Sequence, residues 1–368
     1  MFWIVSSAML SAYFGLNALA YPLIILVALV LKKPTYKIPL SGLIFFGLAI
    51  LIYTFKSFEP NAIVLIRYLQ VYFGFIIFYI VFSQWVGKID IDKLSVILCT
   101  FVFFDALLIN ILPEGIYLPN YPNFDGPMLD GHSTNYFGFY QRPNGFCANA
   151  SMTSTVLAAI YTITKTRMVK ILLSFSVLIL ASTTGLALLI VAALLTSQHK
   201  VTSALVLGCL IGSVYLLSLV TDEYFIARLS PWYFLMIFEY TFEQYADQLR
   251  PVAYSALLGS NYLLDGMPMY NTDNGYAPFY YTNGIILTLA YLSVMFWKRA
   301  QQQRIPLLIL LLGAFHYPAV FTVPGQIFFA LLLLDKFQVC AFLQAKRERT
   351  GAQEFGKSNK WKTQFLAS

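Results

Sequence analysis

The sequence predicts an all-α protein: a polytopic bundle of about 11–12 transmembrane helices with two long loops on one side of the membrane. Three observations predict it. Of 368 residues, 59% are hydrophobic and only 11% are charged, against about 25% charged in a soluble globular domain. The apolar residues gather into long runs separated by polar breaks. Lys and Arg fall almost entirely in alternate breaks.

Phe2–Leu31 is one long span or a tight pair broken near Asn17 and Pro22. Single spans follow at Ile38–Phe55, Ile63–Val86, Leu94–Leu112 and Phe146–Thr164. Val169–Ser197 is apolar on both sides of Ser182-Thr183-Thr184-Gly185 and reads as two short spans. Val201–Thr221 and Ala277–Trp297 are single spans, and Ile305–Phe337 holds two, with a turn near Pro318–Pro324. A full crossing takes about 20 apolar residues. The halves of the paired runs fall short of that, so tilted or re-entrant helices inside the bundle are predicted there. Residues 1–338 thus form one membrane domain, and 339–368 form a basic tail.

Charge sets the orientation. Nineteen of the 24 Lys and Arg residues fall on one side of this threading, from Lys32 and Lys33 through Lys88, Arg167 and Arg304 to the tail. The other side has only Lys56, Arg142, Arg228 and Arg250, and Arg67 lies within a span. The rich side is the cytoplasm by the positive-inside rule, so the C-terminus is cytoplasmic. The formal charge of +7 is explained by topology, with the tail touching anionic lipid, and not by nucleic acid. The four cysteines are scattered and have no zinc-ligand spacing. There is no Walker loop, HExxH or GxSxG, so nothing points to ATP, zinc or a serine nucleophile.

Two outward segments are long, 113–145 and 222–276, and long loops in compact proteins are commonly functional. In the second, Leu235, Phe238, Phe242, Tyr245 and Leu249 share one helical face, while Glu239, Glu243, Asp247 and Arg250 share another. That pattern predicts an amphipathic helix at the outer interface, ended by Pro251.

The chemistry-bearing residues are few. Arg142 and Arg228 face outward next to spans, and Arg250 closes the amphipathic helix. A guanidinium presents a planar fork of donors to phosphate, though the same arginines could equally anchor loops or pair with Asp247 and Glu243. Asp273, in Tyr270-Asn271-Thr272-Asp273-Asn274-Gly275-Tyr276, could take a proton from a sugar hydroxyl or simply form an Asx turn. His132 is an outward histidine in a Gly-rich loop and a weaker base candidate. Arg67 and Asp105 lie within spans, where ionisable groups are costly and often functional. A pair between them is expected.

Four local features resemble the bacterial O-antigen polymerase and ligase superfamily. Arg142-Pro-Asn-Gly-Phe-Cys-Ala-Asn149 is similar to its Arg-x-x-Gly-Phe-x-x-Asn segment at the head of a span. The run through Ser182-Thr183-Thr184-Gly185 resembles its turn between two short spans. The loop with Arg228 and Arg250 resembles its main periplasmic loop. Thr272-Asp273-Asn274-Gly275-Tyr276, followed by Tyr281-Thr282-Asn283-Gly284-Ile285, is similar to its segment leading into a late span. Thr184 stands where many members carry Arg. Asp273 stands where ligase-like members carry His, which favours the polymerase.

The resemblance implies a metal-independent glycosyltransferase of the bacterial inner membrane that needs no cofactor. It would polymerise polyprenyl-diphosphate-linked repeat units into O-antigen or capsule at the periplasmic face. Asp273, Arg142 and Arg250 would be catalytic; Arg228, Asn274, Tyr276 and His132 would bind diphosphate and glycan. Its partners would be undecaprenyl-diphosphate-linked glycan, membrane lipid, a chain-length regulator and a flippase, with no nucleic acid. The alternatives are a ligase that transfers finished glycan to an acceptor, and a glycolipid flippase or transporter.

Overall fold

Short polar residues cap the starts of several helices in this chain, and apolar residues fill the helices that follow. The computed structural model describes residues 2–11, 21, 24, 40–56, 62–84, 87–111, 122–123, 126–127, 135–136, 140–197, 205, 208–209, 212, 236, 239, 257–259, 276–296 and 300–338. Ten α-helices have their bounds among them: α1 (Phe2–Ser11), α2 (Leu40–Lys56), α3 (Ala62–Ser83), α4 (Ile91–Ile111), α5 (Ala150–Ile163), α6 (Arg167–Ile179), α7 (Thr183–Thr196), α8 (Tyr276–Phe296), α9 (Gln301–Gly313) and α10 (Val323–Leu333). The described residues are mostly helical, as the sequence predicts. Two stretches, Ile91–Ile111 and Phe279–Phe296, are long and apolar enough to cross a membrane.

Caps explain where the helices start. Asn149 precedes α5, and its side chain accepts the N–H groups of Ser151 and Met152. Ser182 precedes α7 and accepts Gly185 N–H at 3.1 Å. Thr322 precedes α10 and accepts Gly325 N–H at 3.2 Å, with Pro324 in the first turn. Asp90 accepts the N–H groups of Asp92 and Lys93 at the head of α4. Each such cap stabilises its helix by about 1 kcal/mol.

One end of the bundle is tied together by polar contacts. Lys88 and Asp335 pair at 3.1 Å, and a two-residue parallel ladder aligns Ile89 (β1, Ile89–Asp90) with Phe337 beyond α10. The Thr166 hydroxyl donates to Asp92 at 2.5 Å, and Gln303 Nε2 donates to Leu332 O at 2.7 Å. These contacts gather the starts of α4, α6 and α9 with the ends of α5 and α10. The starts of α5, α7 and α10 therefore meet at the opposite end.

The helix breaks expected within 169–197 and 305–337 are both present, at Leu180–Ser182 and at Ala314–Thr322. Helices α5, α6, α7, α9 and α10 have 14, 13, 14, 13 and 11 residues. At 1.5 Å per residue they are about 16–21 Å long, short of the ~30 Å hydrocarbon core of a bilayer. The centre of the bundle is α5, with Ala150, Val156, Leu157, Ala158, Ala159 and Ile160 all fully buried. It packs on α6, α7 and α9. An added Cβ at Gly185 of α7 would lie 2.1 Å from Ser154 Cβ, and one at Gly313 of α9 would lie 2.3 Å from Thr155 Cγ2. Glycine is what lets both neighbours approach so closely.

Two predicted spans differ in detail. The segment 146–164 becomes helical only at Ala150, because Gly145 and Ala148 take left-handed φ values of 69° and 59° and form a turn instead. The helix predicted over 277–297 forms as α8 but opens at Gly284 (φ 66°, ψ −178°). Leu257–Gly259 lies against that opening, and Ile286 N–H reaches Leu257 O at 3.4 Å. A Cβ at Gly284 would stand 2.4 Å from Leu257 O, and one at Gly259 would stand 2.3 Å from Thr282 O. The crossing therefore needs glycine on both strands of the chain. Of the amphipathic helix expected around 235–250, Met236 and Glu239 are described; both are helical and exposed. The rest lies outside the described residues.

Candidate functional site

The strongest concentration of polar groups in the described interior is where the starts of α5 and α7 meet. Ser151, Thr153, Ser154 and Thr155 of α5 are buried, as are Ser182, Thr183 and Thr184 at the head of α7. The Ser182 hydroxyl donates to Ser151 Oγ at 3.1 Å. Ser154 and Thr155 direct their hydroxyls back to the carbonyls of Ala150 and Ser151. Thr184 Oγ1 is buried and has no partner among the described residues. The start of α10 joins this centre, with Thr322 Oγ1 lying 3.8 Å from Cys147 Sγ.

Arg142 rides on a short strap just before α5. Tyr140 begins it, in a two-residue hairpin that aligns Tyr136 with Tyr140. The Tyr140 hydroxyl donates to Ile179 O at the end of α6. Burial, together with the nearby Asp105 charge, pushes that hydroxyl's pKa up to about 12, so it stays a donor at any physiological pH. Farther along the strap, Thr153 Oγ1 donates to Asn144 O at 2.9 Å and accepts Cys147 N–H at 3.1 Å. Gly145 N–H donates to Asp105 Oδ2 at 2.7 Å. A Cβ at Gly145 would come within 2.6 Å of Thr153 Cγ2, so both its left-handed φ and its packing require glycine. Arg142 itself is half-buried, with Nε enclosed.

No family model, curated protein or solved structure matches the chain.

Tyr276 is the other predicted site residue among those described. It opens α8, stacks its ring edge-on against Phe315 at 4.8 Å, and donates its hydroxyl to Leu311 O. That contact sets the head of α8 on the end of α9, beside His316, whose ring lies over Tyr317 at 4.4 Å. In the sequence, His316 lies in an apolar run just ahead of the turn predicted near Pro318–Pro324, with no charged neighbour to mark it. Arg228, Arg250, Asp273, Asn274 and His132 lie outside the described residues. Asp105 is fully buried, and it accepts the Gly145 N–H. The Arg67 side chain, its expected partner, lies outside the described residues. The signal available in sequence was the run Ser151-Met152-Thr153-Ser154-Thr155, a cluster of hydroxyls inside an otherwise apolar segment.

This arrangement is suited to an anion. Helix starts carry a partial positive charge, here with several of their N–H groups already capped by Asn149, Ser182 and Thr322. Three such starts meet here, a guanidinium precedes one, and a buried threonine hydroxyl remains to be used.

Proposed function

We propose that the chain is a multi-pass protein of the bacterial inner membrane, with a cytoplasmic C-terminus, that polymerises polyprenyl-diphosphate-linked glycan repeat units at the outer leaflet. The observation that carries this reading is Arg142 on a strap that is tied to α4, α5 and α6 and leads into the joined starts of α5 and α7. A diphosphate is the anion that such a site, embedded among apolar helices, is suited to bind. The short helices add support: at about 16–21 Å, they would set the polar centre below the outer surface of a bilayer, within reach of a lipid-borne headgroup.

In the reaction, an acceptor sugar hydroxyl attacks the anomeric carbon of the donor. The bond from that carbon to the diphosphate oxygen breaks, and the diphosphate leaves with the electron pair. Arg142, joined by Arg228 and Arg250, stabilises the departing charge. Asp273 takes the hydroxyl proton, and Asn274, Tyr276 and His132 bind diphosphate and glycan. The diphosphate is itself a good leaving group, so no metal or nucleotide enters the step. Ligation of finished glycan to an acceptor would use the same donor chemistry.

A second reading, a glycolipid transporter, draws on the opening of α8 at Gly284. Discontinuous helices form the substrate sites of many transporters, and the buried Thr282 and Asn283 sit at this one. Deletion of the gene separates the readings. Loss of a polymerase leaves surface lipid with a single repeat unit, loss of a ligase leaves polymer on its carrier lipid, and loss of a flippase leaves no glycan at the surface. The single-unit product is expected.

A further inference from the structure

Asp105 is a carboxylate with no exposed surface, two-thirds of the way along an apolar helix. Such a group is costly to keep unless it is firmly hydrogen-bonded and used. Its described bond goes to the backbone of the strap, at a length typical of a charged acceptor. The strap is held at both ends, by Tyr140 to α6 on one side and by Asn144, Gly145 and Cys147 to α4 and α5 on the other. Arg142 lies between the two. Gly145 takes a left-handed φ of 69° that a free chain would sample only part of the time, so a fixed acceptor for its N–H selects one path for the backbone.

We propose that Asp105 is a positioning residue: its carboxylate, through the Gly145 N–H, fixes the strap that carries Arg142 and so sets where the guanidinium meets its anion. The inference rests on the reading of Arg142 as a diphosphate ligand. Order in the strap can nevertheless be measured without that reading. The carboxylate acts here as an acceptor, so an amide oxygen at the same place should largely replace it, whereas a methyl group should not.

The experiment compares full-length wild type, Asp105→Ala, Asp105→Asn and Arg142→Ala in lipid nanodiscs. Hydrogen exchange is read over residues 140–149, and undecaprenyl diphosphate is the binding probe. Asp105→Ala is expected to speed exchange across 142–147 at least tenfold, with α7 and α9 unchanged, and to weaken probe binding about as much as Arg142→Ala. Asp105→Asn is expected to stay within about threefold of wild type in both measurements. The positioning role is overturned if Asp105→Ala exchanges like wild type over 142–147. It is equally overturned if Asp105→Asn is as impaired as Asp105→Ala, since charge rather than the Gly145 bond would then be what matters. Failure of the wild type to bind the probe refutes the diphosphate reading instead, and the exchange measurement still decides whether Asp105 holds the strap.

Discussion

Replacing Gly185 with alanine tests the packing on which the polar centre depends. Its Cβ would stand 2.1 Å from Ser154 Cβ and 2.6 Å from Ser154 Oγ, whereas carbon atoms rest at about 3.5–4.0 Å. Helices α5 and α7 would have to separate by about 1.5 Å to restore that contact distance. Overpacking of this kind costs about 1–3 kcal/mol. At an unobstructed helix position the same change stabilises by about 0.5–1 kcal/mol, so the sign of the effect is diagnostic. The expected net loss is about 1–2 kcal/mol. It should appear as a clear fall in the thermal midpoint of the purified full-length protein, followed by tryptophan fluorescence in detergent. Ser154→Gly removes the obstruction at its own cost as a helix glycine, so the test is the coupling: Gly185→Ala should cost about 1 kcal/mol less in the Ser154→Gly background than in the wild type. Gly185→Ala at or above the wild-type midpoint, or an equal loss with and without Ser154→Gly, would refute the close approach of the two helices.

Further predictions concern the caps, the strap and the break in α8. Asn149→Ala removes the acceptor for two N–H groups at the start of α5 and should cost about 1 kcal/mol, while Asn149→Asp should keep most of it; thermal midpoints measure both. Arg142→Ala should abolish polymer ladders at unchanged protein level, and Arg142→Lys should recover them only in part, because an ammonium lacks the planar fork. Gly284→Ala would drive a methyl group into the Leu257 carbonyl and should lower the amount of folded protein in membranes more than Gly47→Ala, where a Cβ meets nothing within 4 Å. The Lys88–Asp335 pair is about half exposed on both partners, and a double-mutant cycle on it should give less than about 1 kcal/mol.

Much of the helical layout could be read from local signals. Ser182 ahead of Thr-Thr-Gly and Thr322 ahead of Val-Pro-Gly are helix starts embedded in apolar runs, and each marks a break that the structure contains. The opening at Gly284 also had a local sign, the Asn283-Gly284 pair, but the surrounding hydropathy masked it. Contacts distant in sequence were not legible. Gly145 bonds to a carboxylate 40 residues earlier, and no spacing rule links a left-handed turn to a particular buried Asp. The glycines were similarly opaque: Gly185 and Gly313 look like weak points of their helices until Ser154 and Thr155 of α5 are seen against them. Of the predicted site, Arg142 and Tyr276 fall on described elements. The other residues share only sequence features and the resemblance with them.

The central claim is chain extension of a lipid-linked glycan, and gel analysis of surface glycan after deletion of the gene tests it most directly. The ladder of chain lengths is expected to collapse to a band carrying one repeat unit, and the wild-type gene is expected to restore it while the Arg142→Ala gene does not. An unchanged ladder in the deletion strain, or full restoration by Arg142→Ala, would contradict it.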